Sequence, residues 1–193
     1  MLNTECKNRK DRLPMTQNSR DCILILQDES LDVSNSSVSG NLFWKFGDLY
    51  FPEVDWYDLP CSLLAMWTDS LSKMVRSRNG KATLDFMDGP FYLHVQKCQD
   101  VLAVELYEDT TTKPVLVAAF ETDTMAFCKE VYNAAQGLLE YLKIHFKTND
   151  LEKFCRSQLG NEHHKKKADP IGFLYDVAEI IRNCEILQHA LER

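Results

Sequence analysis

Apolar residues recur along this chain with two periods, two and about 3.6, and the switches between them outline its elements. Cys22-Ile-Leu-Ile-Leu26 is a short apolar run that predicts a strand. Leu42–Phe46 and Leu49–Phe51 flank Gly47-Asp48, the mark of two strands around a tight turn. Between these, residues 28–41 hold Asp28, Glu29, Asp32 and Ser34-Asn-Ser-Ser-Val-Ser-Gly40, a composition that predicts a loop. Leu63, Leu64, Trp67, Leu71, Met74 and Val75 then share one face of a helix. Asp58 suits its N-cap, Pro60 its first turn, and Asn79-Gly80 its stop. Four alternating segments follow in a row: Ala82–Met87, Phe91–Gln96, Val101–Tyr107 and Val115–Glu121. Short polar loops separate them, which reads as a β-meander. Phe127, Val131, Ala134, Ala135, Leu138 and Leu142 predict a long helix from about Asp123 to Lys147, with Asp123 as its cap. Asn149 or Asp150 can open a short helix that Gly160 stops, and Asp169-Pro170 opens a last helix reaching Leu191.

The register of the meander follows from its loops. Asp88-Gly89 is a hairpin signal, but Pro90 has no N–H and cannot close a two-residue turn, so a four-residue loop from Met87 to Pro90 is expected. Leu84 then faces Leu93, Asp85 faces Tyr92, and Thr83 faces His94. A second loop at Lys97–Asp100 would pair Val95 with Leu102 and Leu93 with Val104. Both hairpins put apolar residues on one side, as a half-buried sheet requires. The last strand is ambiguous, because Leu116/Ala118/Phe120 and Val115/Val117/Ala119 are both apolar sets, which suits a strand covered on both faces.

The fold class is therefore α+β: a mainly antiparallel β-meander sheet with helices packed on it and a helical C-terminal region. Residues 1–20 are polar and read as a mobile tail, 21–160 as the α+β domain, and 161–193 as a loop and C-terminal helix packed on that domain. The 193 residues, 45% of them hydrophobic, are enough for such a core without staples. No apolar run approaches the roughly 20 residues of a membrane span, and no basic start leads into an apolar stretch, so neither membrane nor signal peptide is expected. The seven cysteines are irregularly spaced, with no CxxC, which suits reduced thiols buried as small hydrophobes in a cytoplasmic protein.

The net charge of −7 changes the functional picture. Nucleic-acid binding needs lysines and arginines massed on one face, and none is seen; an acidic chain is steered instead towards basic partners. Nucleotide-binding and common hydrolase motifs are missing, and no cofactor or metal is called for. On the outer face of the meander, the expected register sets Asp85, Tyr92 and Glu105 in one cross-strand row with His94 diagonal to both acids. A histidine between two carboxylates can serve as a general base, so Asp85, His94 and Glu105 are the candidate catalytic set of a small enzyme. The plainer reading is the solvated side of a sheet, with Tyr92, Glu105 and Tyr107 available to a partner. Trp56, between Asp55 and Tyr57-Asp58, resembles an interface anchor, or else a lid on the core. With Glu53, Asp55 and Asp58 it completes the partner-binding set, and Glu108 and Asp109 are further acids. Trp44 and Trp67 belong to the core. His163-His164-Lys165-Lys166-Lys167 reads as an exposed basic loop, because lysines repel a cation. Phe173, Val177, Ile180, Cys184, Leu187 and Leu191 form an a/d seam, either against the long helix or, through residues 171–191, against a second copy as a homodimer.

Tyr50-Phe51-Pro52, Trp56-x-Asp58, Leu63-Leu64-x-x-Trp67 and Phe86-Met87-Asp88-Gly89-Pro90-Phe91 resemble small uncharacterised bacterial α+β proteins, some of immunity-protein type, over residues 42–107. The resemblance implies a cytoplasmic protein-binding domain that inhibits a basic partner protein. It carries no catalytic residue. The alternative is the small enzyme with its Asp/His/Glu site on an open sheet face.

Overall fold

The computed structural model describes residues 21–34, 37–160 and 173–192. The expected tail at 1–20 and the histidine–lysine loop at 163–167 lie outside the described residues. Among the described residues, nine strands in two antiparallel sheets and four helices make up the α+β architecture expected from the sequence.

The first sheet is built around β3 (Val38–Phe46), which pairs with β1 (Cys22–Leu26), β2 (Asp32–Val33), β4 (Leu49–Phe51) and β5 (Tyr57–Asp58). Gly47, at φ +61°, makes the β3–β4 turn. Residues 28–41 are not a plain loop. They hold a 3-10 turn at Asp28–Ser30, β2 and the first four residues of β3. Their serines and glycine disguise the strand: Val38 is buried, and a Cβ on Gly40 would meet the Leu31 side chain at 2.8 Å. The second sheet is the meander β6 (Lys81–Asp85), β7 (Phe91–Cys98), β8 (Val101–Asp109) and β9 (Pro114–Asp123), in that spatial order.

Helix α1 (Pro60–Val75) buries Leu63, Leu64, Trp67, Leu71 and Met74, as its spacing predicts. It also buries Cys61, Ala65, Thr68 and Ser72, because it touches β3 and β6 as well as α2 (Thr124–His145) and α4 (Phe173–Leu191). The two buried hydroxyls are satisfied within the helix, Thr68 on the Leu64 carbonyl at 2.6 Å and Ser72 on that of Asp69 at 2.8 Å. Asp123 caps α2 by accepting from the Ala126 N–H, and Asp150 accepts from the Lys153 N–H at the start of α3 (Leu151–Gly160).

Rings weld the layers together. Trp44 on β3 stacks on Phe127 of α2 at 4.6 Å, Phe46 meets Phe120 of β9 at 4.5 Å, and Trp67 of α1 meets Phe86 edge-on at 5.2 Å. One hydrophobic core thus runs from Cys22 to Leu187. The seam of α4 is part of it: Phe173, Val177, Ile180, Cys184 and Leu187 are all buried. Its main neighbour is α1 rather than the long helix, with the Ser62 hydroxyl donating to Asp176 at 2.6 Å. The seam side chains that a homodimer would use therefore already face the core of their own chain.

Two further expectations change. The β7–β8 loop is the two-residue Gln99-Asp100, with Gln99 at φ 61°, so Val95 pairs with Val104 and Leu93 with Leu106. That is a shift of two residues from the expected register; it preserves which side chains face inward but changes every partner. Strand β9 is not covered on both faces. It carries an irregularity opposite Leu106/Tyr107, and Val115 and Val117 are exposed while Phe120 is buried. Among the described residues no helix is long and apolar enough to cross a membrane.

Candidate functional site on the outer sheet face

Leu84, Leu93, Val95, Leu102, Val104 and Leu106 fill the inner face of the meander, so strand alternation sends their neighbours outward. All outward residues of the four strands are exposed or half-buried. They form two central rows. One runs Thr83–His94–Glu105–Ala119, the other Asp85–Tyr92–Tyr107–Leu116. Glu105 thus leaves the Asp85–Tyr92 row assigned to it from the sequence and stands directly opposite His94, while Tyr107 takes its place.

Three rings pave the centre. Tyr92 and Tyr107 stack at 5.2 Å with planes 12° apart, and His94 is tilted against both, at 5.0 and 5.3 Å. The Tyr107 hydroxyl donates to Glu105 Oε2 at 3.2 Å. Acids rim the pavement: Asp85 on β6, Asp109 on β8 and Glu121 on β9, against one outward cation, Lys81. Their field is felt at Tyr92, whose hydroxyl is pushed above its ordinary value by desolvation, then by Asp109, then by Asp85. A shallow depression of about 390 Å³ lies beside the rings, lined by Lys81, Thr83, His94, Gln96 and Glu105 among others. Among the described residues no three His, Cys, Asp or Glu side chains converge as metal ligands.

The connector residues separate into two groups. Glu53, Val54 and Asp55 are exposed, with Asp55 accepting from Gln27 Nε2 at 2.6 Å. Trp56 and Asp58 are structural. The Trp56 ring lies edge-on to Phe91 at 5.2 Å and to Phe86 at 6.4 Å, and its indole N–H donates to Asp58. It acts as the lid that the sequence left as an alternative. Asp58 is 2% exposed and is no helix N-cap; that position is Leu59, which has no side-chain capping bond. Its carboxylate instead accepts from the Leu59, Met87 and Asp88 N–H groups, which ties the connector to the Asp88-Gly89-Pro90 corner. Asp58 is therefore withdrawn from the partner-facing acids.

So the structure gathers Asp85, Tyr92, His94, Glu105 and Tyr107 on one open face and leaves Glu53 and Asp55 on a separate exposed connector. Lys81 and Glu121 were not picked out from the sequence. Their signal was their parity along β6 and β9, and it could be read only once the edge strands were fixed. The arrangement defines an α+β protein with an aromatic, acid-rimmed sheet face. Comparison of the chain with protein-family models, curated proteins and solved structures finds no match.

Proposed function

We propose that this chain is a cytoplasmic protein-binding domain, of the kind that inhibits a basic partner protein as immunity-type proteins do, and that the outer sheet face is its binding surface. The observation that carries the reading is the paved centre of Tyr92, His94 and Tyr107 within a rim of Asp85, Asp109 and Glu121. Aromatic side chains supply contact area at low entropic cost, and a rim of one sign steers and selects the partner. The net charge of −7 acts in the same direction at longer range.

The test is capture from lysate of the source cell, washed at low and high salt, with the chain and its Asp85→Lys/Glu121→Lys variant. One stoichiometric basic protein, released by salt and lost from the variant, is the expected result. Capture indifferent to both salt and charge reversal, or no partner at either salt, would overturn it. The direct His94–Glu105 pair beside the depression supports a second reading, a small enzyme with Asp85, His94 and Glu105 as its acid–base set. It requires turnover of some substrate that His94→Ala abolishes while folding is unchanged.

A further inference from the structure

Asp85 and Asp109 lie on either side of Tyr92. Asp85 is its direct cross-strand neighbour on β6, and Asp109 stands two residues beyond its other partner, Tyr107, on β8. Strands about 4.8 Å apart and a two-residue offset of about 7 Å separate the two acids by about 12 Å across the tyrosine. Neither carboxylate makes an ion pair or a side-chain hydrogen bond among the described residues. Both act on the Tyr92 hydroxyl, Asp109 more strongly. The floor between them is the stacked Tyr92–Tyr107 pair, over which a guanidinium can lie flat. The surface is open and shallow, which suits a chain laid across it better than a small molecule that must be enclosed.

We propose that the face receives an extended peptide segment of its partner through two arginines about four residues apart, one on Asp85 and one on Asp109, with the intervening chain crossing the Tyr92–Tyr107 pavement. This deepens the protein-binding reading above and rests on it. The spacing follows from geometry: in an extended peptide residues four apart point the same way and stand about 13 Å apart, close to the separation of the two acids. Two arginines adjacent in sequence point to opposite sides and reach only one acid at a time. Arginine is preferred to lysine because it can pair with a carboxylate in a two-pronged manner while stacking on a ring.

Three soluble Gly/Ser-rich peptides test this by calorimetric titration into the full chain at low salt. One carries two arginines four residues apart, one carries them adjacent, and one carries glutamates at the spaced positions. The spaced peptide should bind about tenfold more tightly than the adjacent one, the glutamate peptide should not bind, and Asp85→Asn and Asp109→Asn should each weaken the spaced peptide about three- to tenfold. Ultraviolet titration supplies a readout tied to the site. A bound cation favours tyrosinate, so the spaced peptide should lower the pH at which Tyr92 ionises, and Tyr92→Phe should remove that change. Equal binding of the two arginine peptides, or binding untouched by either Asn variant, would overturn the inference. If the lysate partner is still captured in a salt-sensitive way, the basic-partner reading survives that failure. If no partner is captured, both fall.

Discussion

The carboxylate of Asp58 accepts from Trp56 Nε1 and from the backbone N–H groups of Leu59, Met87 and Asp88, at 2.7 to 3.2 Å, in a site that is 2% exposed. Replacing it with alanine removes the side-chain acceptor these donors share, so Asp58→Ala should cost about 2–4 kcal/mol in urea unfolding. An unchanged midpoint would show that water takes over the role. Nothing local could have revealed that role. An aspartate just before Pro60 resembles a helix cap, and the loop it holds lies about 30 residues on, as the separations of these bonds show. Five of the cysteines were easier to read, because burial follows from apolar periodicity: Cys22, Cys61, Cys128, Cys155 and Cys184 are free and buried, whereas Cys98, half-buried at the end of β7, is disulfide-bonded and departs from the expectation of reduced thiols. Burial pushes each thiol up from 9.0, to about 12 for Cys128 and about 11 for Cys155 and Cys184. A group whose folded value is raised stabilises the fold fully below its unfolded value and loses that contribution as pH climbs through the folded one. Stability should therefore hold up to about pH 9 and then fall progressively towards pH 12, as urea midpoints across that range will show. At pH 8 an aromatic disulfide should label these five thiols only as fast as the chain opens; rapid labelling of the folded chain would contradict their burial.

At the scale of elements, the β6–β7 hairpin was legible residue by residue and the β7–β8 hairpin only by face. The difference lies in the turns. Pro90 forbids a tight closure, and the structure has the wide corner this requires, with the Phe86 N–H bonded to the Phe91 carbonyl at 2.9 Å. Gln99-Asp100 carries neither proline nor glycine, so nothing in the sequence advertised a two-residue turn, and lengthening it by two moved His94 away from Glu105. Inward and outward sets survived, because a slip of two keeps parity. Gln99 holds φ 61°, a region that disfavours a side chain with a Cβ. Gln99→Gly should therefore stabilise the chain by about 0.5–1 kcal/mol. A loss of stability would mean that the Gln99 side chain contributes more than its backbone costs. The seam of α4 shows the same boundary between pattern and partner: its spacing identified the buried face, but α1 and α2 are both apolar, and the choice between them was made by packing. Ile180→Ala, at the middle of that seam and fully buried, should cost about 2–4 kcal/mol, and it should do so without altering molecular mass in light scattering, because the face it thins lies inside the chain.

At the scale of the molecule, the question is whether two sheets behave as one body. Among the described residues they share no hydrogen-bonded strand pair, so their connection there rests on side chains. Phe46 of β3 meets Phe120 of β9, Phe51 of β4 meets Phe86 and Phe91 around the β6–β7 corner, and α1 touches both β3 and β6. Each link is an interior contact that one sheet cannot replace by itself, since Phe46, Phe51, Phe86 and Phe120 are all buried. Unfolding either sheet alone would expose these rings and strip α1 of one of its strand neighbours, which makes a half-folded state costly and the transition cooperative. The three tryptophans report on different places, Trp44 on the first sheet, Trp56 on the connector and Trp67 on α1, whereas far-ultraviolet circular dichroism sums over all elements. In urea the two signals should therefore trace one coincident transition. Phe120→Ala, which empties the joint between the sheets, should lower its midpoint by an amount equivalent to about 3–4 kcal/mol while the signals stay coincident. If they separate in the parent chain, the sheets are independent units and the outer face of the meander can be studied apart from the rest. If they separate only in the variant, the Phe46–Phe120 contact is what couples them. A coincident transition in both would mean that the face proposed to bind a partner is presented on a scaffold that stays rigid unless the whole chain unfolds.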